Sequence, residues 1–94
     1  MKVSEFQDLV ARLYLERDRA RGIELTAVWM VEEMGELAEA VRRRERAGVA
    51  EELADVVAWA ASVANLAGVD LEAALAAKYP GRCARCGGAP CRCP

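Results

Sequence analysis

Apolar side chains return along the chain at helical intervals. Phe6, Leu9, Val10, Leu13 and Leu15 form a first stripe, with Ser4 and Gln7 spaced as a capping box; this predicts a helix running to about Arg21 and ended by Gly22. Met30, Met34, Leu37 and Val41 follow i, i+4, i+7, i+11 and predict a second helix over about 24–47. The Arg42-Arg43-Arg44 run and Arg46 suit the negative end of its dipole, and Gly48 supplies its stop. A third helix is expected over about Val49–Ala67; beyond its first two turns it is small and apolar on nearly every side, which implies burial between helices or against another subunit. Gly68 closes it, Asp70 can cap a short fourth helix over Leu71–Tyr79, and Pro80-Gly81 ends that helix. The remainder has the glycines and prolines of a tight irregular loop.

The fold class is therefore all-α: one four-helix domain over residues 1–80 and a short tail over 81–94. A core of this size is adequate but not large, so association with a second copy would help stability. Thirteen basic residues against fifteen acidic ones give a net charge of -2, and with it no reason to expect a nucleic-acid polymer or a membrane surface as partner. The longest uncharged run, residues 56–69, is too short for a bilayer, which needs about 20 residues. Met1–Phe6 lacks the apolar stretch of a signal peptide, and a cytoplasmic protein is expected. There is no histidine, which excludes Ser-His and Cys-His catalysis.

Two short acidic phrases change the picture. Glu33-Met34-Gly35-Glu36 and Glu52-Leu53-Ala54-Asp55 each carry two carboxylates three residues apart on one helix face. On a helical wheel Glu33 and Glu36 border the apolar line, whereas Glu32 and Glu39 fall nearly opposite it, where Glu39 can pair with Arg43. A short link makes the second and third helices antiparallel neighbours, so Glu33, Glu36, Glu52 and Asp55 can converge across their groove. Two like charges about 4 Å apart cost roughly 4 kcal/mol at an effective dielectric near 20, and a hard divalent cation, Mg²⁺ or Mn²⁺, removes that conflict. The plainer reading, two solvated acidic faces, stands beside this one.

Val31-Glu32-Glu33-Met34-Gly35-Glu36-Leu37, followed sixteen positions after Glu36 by Glu52-Leu53-Ala54-Asp55-Val56-Val57, resembles the MazG-like nucleoside triphosphate pyrophosphohydrolases of the all-α NTP pyrophosphatase superfamily. The resemblance implies a four-helix bundle completed as a homodimer or homotetramer. It also implies Mg²⁺-dependent cleavage of a nucleoside triphosphate to monophosphate and pyrophosphate, in nucleotide-pool housecleaning. Its metal ligands carry over onto Glu33, Glu36, Glu52 and Asp55. Lys78 stands where such proteins place a phosphate-contacting lysine, with Arg82 close behind; a dipole-stabilising role for Lys78 is the alternative. Trp29 and Trp59, each four residues from a proposed ligand, are candidates to stack on a nucleobase or to sit in a core or an interface.

The tail holds all four cysteines as Cys83-x-x-Cys86 and Cys91-x-Cys93, with Gly87-Gly88 between the pairs. Four thiolates around one structural Zn²⁺ is the expected product; two local disulfides or a reactive tail are the alternatives. A second functional reading uses the same features: a non-catalytic dimeric helical adaptor whose zinc tail docks a protein partner.

Overall fold

The computed structural model describes residues 1–94 as four helices, α1 (Val3–Arg21), α2 (Ile23–Arg42), α3 (Arg46–Ala67) and α4 (Leu71–Lys78), and no strand. The pairing of α2 with α3 is the most extensive, α1 packs across α3, and α4 rests on α1.

The connections follow from local chemistry. Gly22, at φ 91°, is the whole link between α1 and α2; Arg21 Nη1 donates across the corner to Asp18 Oδ1 (2.8 Å) and Thr26 Oγ1 (3.3 Å), and Thr26 Oγ1 donates to Gly22 O (2.7 Å). Thr26 and Asp18 are the largest fully enclosed side chains of the molecule, so a polar knot occupies this corner. At the far end of α3, Gly68 adopts the left-handed conformation (φ 69°), and the N–H of Val69 returns to Ala64 O (2.9 Å), which satisfies a carbonyl of the last turn. Asp70 caps α4 by accepting from the Ala73 N–H (3.0 Å), as its sequence position suggests.

Two boundaries differ from the sequence expectation. The second helix ends at Arg42 and the third starts at Arg46, so Arg43-Arg44-Glu45 is the turn, with Arg44 in the left-handed region at φ 58°. Gly48 is not a stop. It lies in the first turn of α3 beside Ala40, where an added Cβ would stand 3.5 Å from Ala40 Cβ, an ordinary packing distance. The Glu39–Arg43 pair does form, at 2.8 Å, between two half-exposed groups, where such a pair is worth well under about 1 kcal/mol.

The start of α1 is also earlier than the Ser4–Gln7 spacing suggests. The first turn is closed by Glu5, whose carboxylate accepts from the Lys2 N–H (3.1 Å), and this frees Ser4 and Gln7 for long-range work. The Ser4 N–H donates to Glu72 of α4 (3.2 Å). Gln7 Nε2 donates to Asn65 Oδ1 (3.0 Å) and Val69 O (2.7 Å), its Oε1 accepts from the Leu71 N–H (2.9 Å), and its own carbonyl accepts from Asn65 Nδ2 (3.3 Å). One glutamine thus binds α1 to the α3–α4 junction.

The interior is small. Val10, Ala40, Ala61 and Ala64 are the only fully buried apolar residues. Of the apolar line on α2, Met30 and Leu37 are half-buried, while Met34 is 43 % and Val41 55 % exposed. Leu53 and Val57 of α3 are also exposed, so apolar faces of α2 and α3 remain uncovered within one chain. No single helix is long and apolar enough to cross a membrane.

Replacing Gln7 by Ala leaves the Leu71 N–H and Val69 carbonyl without their partner and is expected to cost about 1–3 kcal/mol. Urea unfolding should show a lower midpoint at unchanged slope; an unchanged midpoint would show that water replaces Gln7 without loss.

Candidate functional site

Antiparallel pairing about the Arg43–Glu45 turn decides which acids meet. Glu36 and Glu52 lie eight residues either side of Arg44, and Glu33 and Asp55 eleven either side, so both phrases arrive at the same level of the hairpin. Carboxylate oxygens of Glu33, Glu36 and Glu52 all lie within 4.8 Å of one another and could hold a metal ion. Asp55 is the fourth acid at this level. Its charge reaches Glu33 and Glu52, but its carboxylate lies outside the three-glutamate group and faces a neighbouring cleft.

Nothing in the chain neutralises this cluster. The ion pairs are Asp18–Arg21, Glu39–Arg42 and Glu39–Arg43, none of which includes Glu33, Glu36, Glu52 or Asp55. Glu33 Oε2 and Glu52 Oε2 are enclosed and have no hydrogen-bond partner. Enclosure, and then the Glu36 and Asp55 charges, push the Glu33 carboxyl from the ordinary 4.5 to about 7. Enclosure followed by the Glu36 charge also raises Glu52. Enclosed anionic oxygens without donors suit a hard cation, which supplies positive charge and takes up the lone pairs that no protein group engages.

Beside the acids, α1 and α3 enclose a cleft of about 350 Å³ whose lining includes Tyr14, Arg17, Asp18, Arg21, Asp55 and Trp59. The Arg21 guanidinium lies 4.9 Å from the centre of the Trp59 ring. Asp18 is 2 % exposed, and only its Oδ1 is paired, with Arg21; Oδ2 is enclosed and free. Sequence reasoning reached Asp55 and Trp59 but missed the α1 residues. Tyr14, Arg17, Asp18 and Arg21 stand at i, i+3, i+4, i+7, a polar stripe on one face of α1, and that spacing was the available signal.

The other expected residues lie elsewhere. Trp29, on α2, is 40 % exposed and does not line this cleft. Lys78 and Arg82 share a different cleft, between the end of α4 and the tail, with Cys83 and Gly87. Asn65, at the α4 end of α3, is about 20 Å along the helix from Glu52, and α4, about 12 Å long, leaves α3 at 103°. Within one chain Lys78 therefore stands apart from the carboxylates.

Cys83, Cys86, Cys91 and Cys93 are free thiols whose sulfurs all lie within 4.8 Å of one another, a second group able to hold a metal ion. Backbone N–H donors from Cys86 and Arg85 draw the Cys83 thiol down to about 6 and those from Arg92 and Gly88 lower Cys86, whereas the neighbouring cysteines push Cys93 up to about 11.

The family model of the MazG nucleotide pyrophosphohydrolase domain matches residues 21–87, which include all four acids of the hairpin. No curated protein matches the chain.

In metal-free protein, a Glu33 pKa raised to about 7 means that the folded state keeps a proton that the unfolded chain releases near 4.5. Stability should therefore be greatest below pH 4.5 as far as this group is concerned, and fall as pH rises to about 7. A divalent cation should raise the melting temperature more at about pH 8 than at about pH 5, because it competes with that proton. Thermal melts of wild type and Glu33→Gln measure both effects; a cation-induced shift independent of pH would remove Glu33 from the ligand set.

Proposed function

Because the chain belongs to the MazG nucleotide pyrophosphohydrolase domain family, we propose that it hydrolyses nucleoside or deoxynucleoside triphosphates to the monophosphate and pyrophosphate, with Mg²⁺ or Mn²⁺ held by Glu33, Glu36, Glu52 and Asp55. The observation that carries this reading is the pair of enclosed, partnerless oxygens, Glu33 Oε2 and Glu52 Oε2, within a group of three glutamates that no cation of the chain approaches. Without a cation such a group relieves its repulsion by holding protons, as the raised Glu33 and Glu52 carboxyls indicate.

The ion would supply neutralisation of triphosphate charge and acidification of the attacking water. The remaining roles fall to the chain. With no histidine present, a carboxylate is the protein group available to accept the water's proton. Arg17 and Arg21 bring positive charge to the cleft beside Asp55, where a triphosphate would otherwise meet acids alone. Trp59, with one face under Arg21, forms the flat apolar wall suited to a nucleobase. Nucleotide-pool housecleaning in the cytoplasm is the setting this reading assigns.

A homodimer or homotetramer belongs to the same proposal. Seven of 94 residues are fully buried, and Val31, Met34 and Val41 on α2 with Leu53 and Val57 on α3 present apolar surface beside the acids. A second copy covering those faces would enclose the site and give the small interior the apolar burial it lacks, at about 25 cal/mol per Å².

A panel of canonical and modified nucleotides with pyrophosphate detection tests the activity. Pyrophosphate should appear with Mg²⁺ or Mn²⁺ and not after chelation; its absence across the panel would sink the reading. Glu36→Gln and Asp55→Asn should each lower kcat/KM by about 100-fold or more while leaving the helical circular dichroism spectrum intact. Light scattering should report at least a dimer, and Val57→Asp should shift it toward monomer; a monomeric wild type would refute the assembly alone.

A further inference from the structure

The pyrophosphohydrolase reading leaves the four cysteines without a role. All of them are free thiols, and Cys83 Sγ stands 3.7 Å from Cys93 Sγ. A disulfide would bring two sulfurs to about 2.05 Å. Sulfurs at the corners of a tetrahedron with metal–sulfur bonds of about 2.3 Å are about 3.8 Å apart, which is the spacing of this pair. The backbone is shaped to the same end. Gly88 and Arg92 each donate an N–H to Cys86 Sγ (3.4 and 3.3 Å), and Cys93 donates to Cys91 Sγ (3.3 Å), an arrangement that favours thiolate over thiol. The turn itself is closed by Cys83 N–H to Gly88 O and Gly87 N–H to Cys83 O, both 2.9 Å. A Cβ on Gly88 would fall 2.7 Å from Pro90 O and 3.4 Å from Cys86 Sγ, so only glycine leaves room for this approach.

Charge gives an independent observation. Residues 73–94 contain Lys78, Arg82, Arg85 and Arg92 and no acid. Arg82 precedes Cys83, Arg85 precedes Cys86, and Arg92 lies between Cys91 and Cys93. A divalent ion with four thiolates carries two negative charges, and an acid-free basic segment is the surrounding that stabilises it. Apolar packing cannot order this segment, because none of residues 79–94 is buried.

We propose that the tail is a structural zinc site: Cys83, Cys86, Cys91 and Cys93 bind one Zn²⁺ as thiolates, each releasing its proton to solvent, with Lys78, Arg82, Arg85 and Arg92 offsetting the doubly negative centre. Four protein sulfurs complete the coordination, so the ion has no position for water or substrate. Its work is mechanical: it replaces the missing core after α4 and holds Arg82 in the cleft beside Lys78.

Elemental analysis of the full chain purified without chelator should find one zinc per chain. Cys86→Ser and Cys91→Ser should lose most of it while keeping the helical spectrum, and Glu36→Gln should retain it, which separates this site from the carboxylates. Cobalt exchanged for the zinc should show the thiolate charge-transfer and d–d bands of a tetrahedral site, and Cys86→Ser should abolish them. Zinc absent from wild type, iron in its place, an intact mass short of the hydrogens lost to disulfides, or zinc retained in Cys86→Ser would each overturn the proposal. Because pyrophosphate release is not the readout, failure here leaves the activity untouched, and failure of the activity leaves the zinc site standing.

Discussion

Three glutamates repel one another on one side of the α2–α3 hairpin, and the surrounding structure has to hold them there. A turn of three residues sets the hairpin register, and Gly48 packs on Ala40 beside it. Across the other side of α3, α1 brings the polar stripe that carries Arg17 and Arg21 to the neighbouring cleft without setting either against the glutamates. The result is an anionic group whose charge is left for something outside the chain to satisfy. Structural ion pairing would have spent that charge; here the arginines are engaged with Asp18 and Glu39 or face solvent.

The molecule carries two groups able to hold ions, and they differ in donor chemistry and in support. The oxygen group is mounted on two long helices whose backbone bonds are complete without any ligand. The sulfur group sits on a turn with no buried residue of its own. Hard ions prefer the first set and borderline-soft ions the second, so softness of the donors sorts the ions where overall charge would not. The two groups also lie on different elements, the acids on the α2–α3 hairpin and the cysteines beyond the end of α4.

Most of the helices were legible in the sequence because apolar periodicity, Gly22, Gly68 and Asp70 are local signals that act locally in the fold. The α2–α3 turn was not, since Arg43-Arg44-Glu45 contains none of the residues that ordinarily mark a turn, and the nearby Gly48 offered a false stop. Ser4 and Gln7 have the spacing of a cap, but their partners lie more than fifty residues away, which no local pattern encodes. At the site, spacing alone placed Glu33, Glu36 and Glu52 together. It could not divide Asp55 from them, because that depends on which side of α3 meets α1. Asp18 and Arg21 belong to a polar stripe that the spacing of α1 displays, but what that stripe faces depends on packing between helices distant in sequence.

The mirror arrangement of the acids about Arg44 bears on how the molecule comes into being. Glu33 and Glu52 are separated by nineteen positions, and everything needed to bring them together lies within one helical hairpin. Contacts so close in sequence cost little loop-closure entropy, whereas the Gln7 bonds to α3 and α4 span the length of the domain and cost more. The most self-repelling element therefore closes at a smaller chain-entropy cost than the Gln7 bonds that pin α4. A cation bound by the three glutamates would tie α2 to α3 across that turn, so that one ion would stabilise the hairpin as well as match its charge.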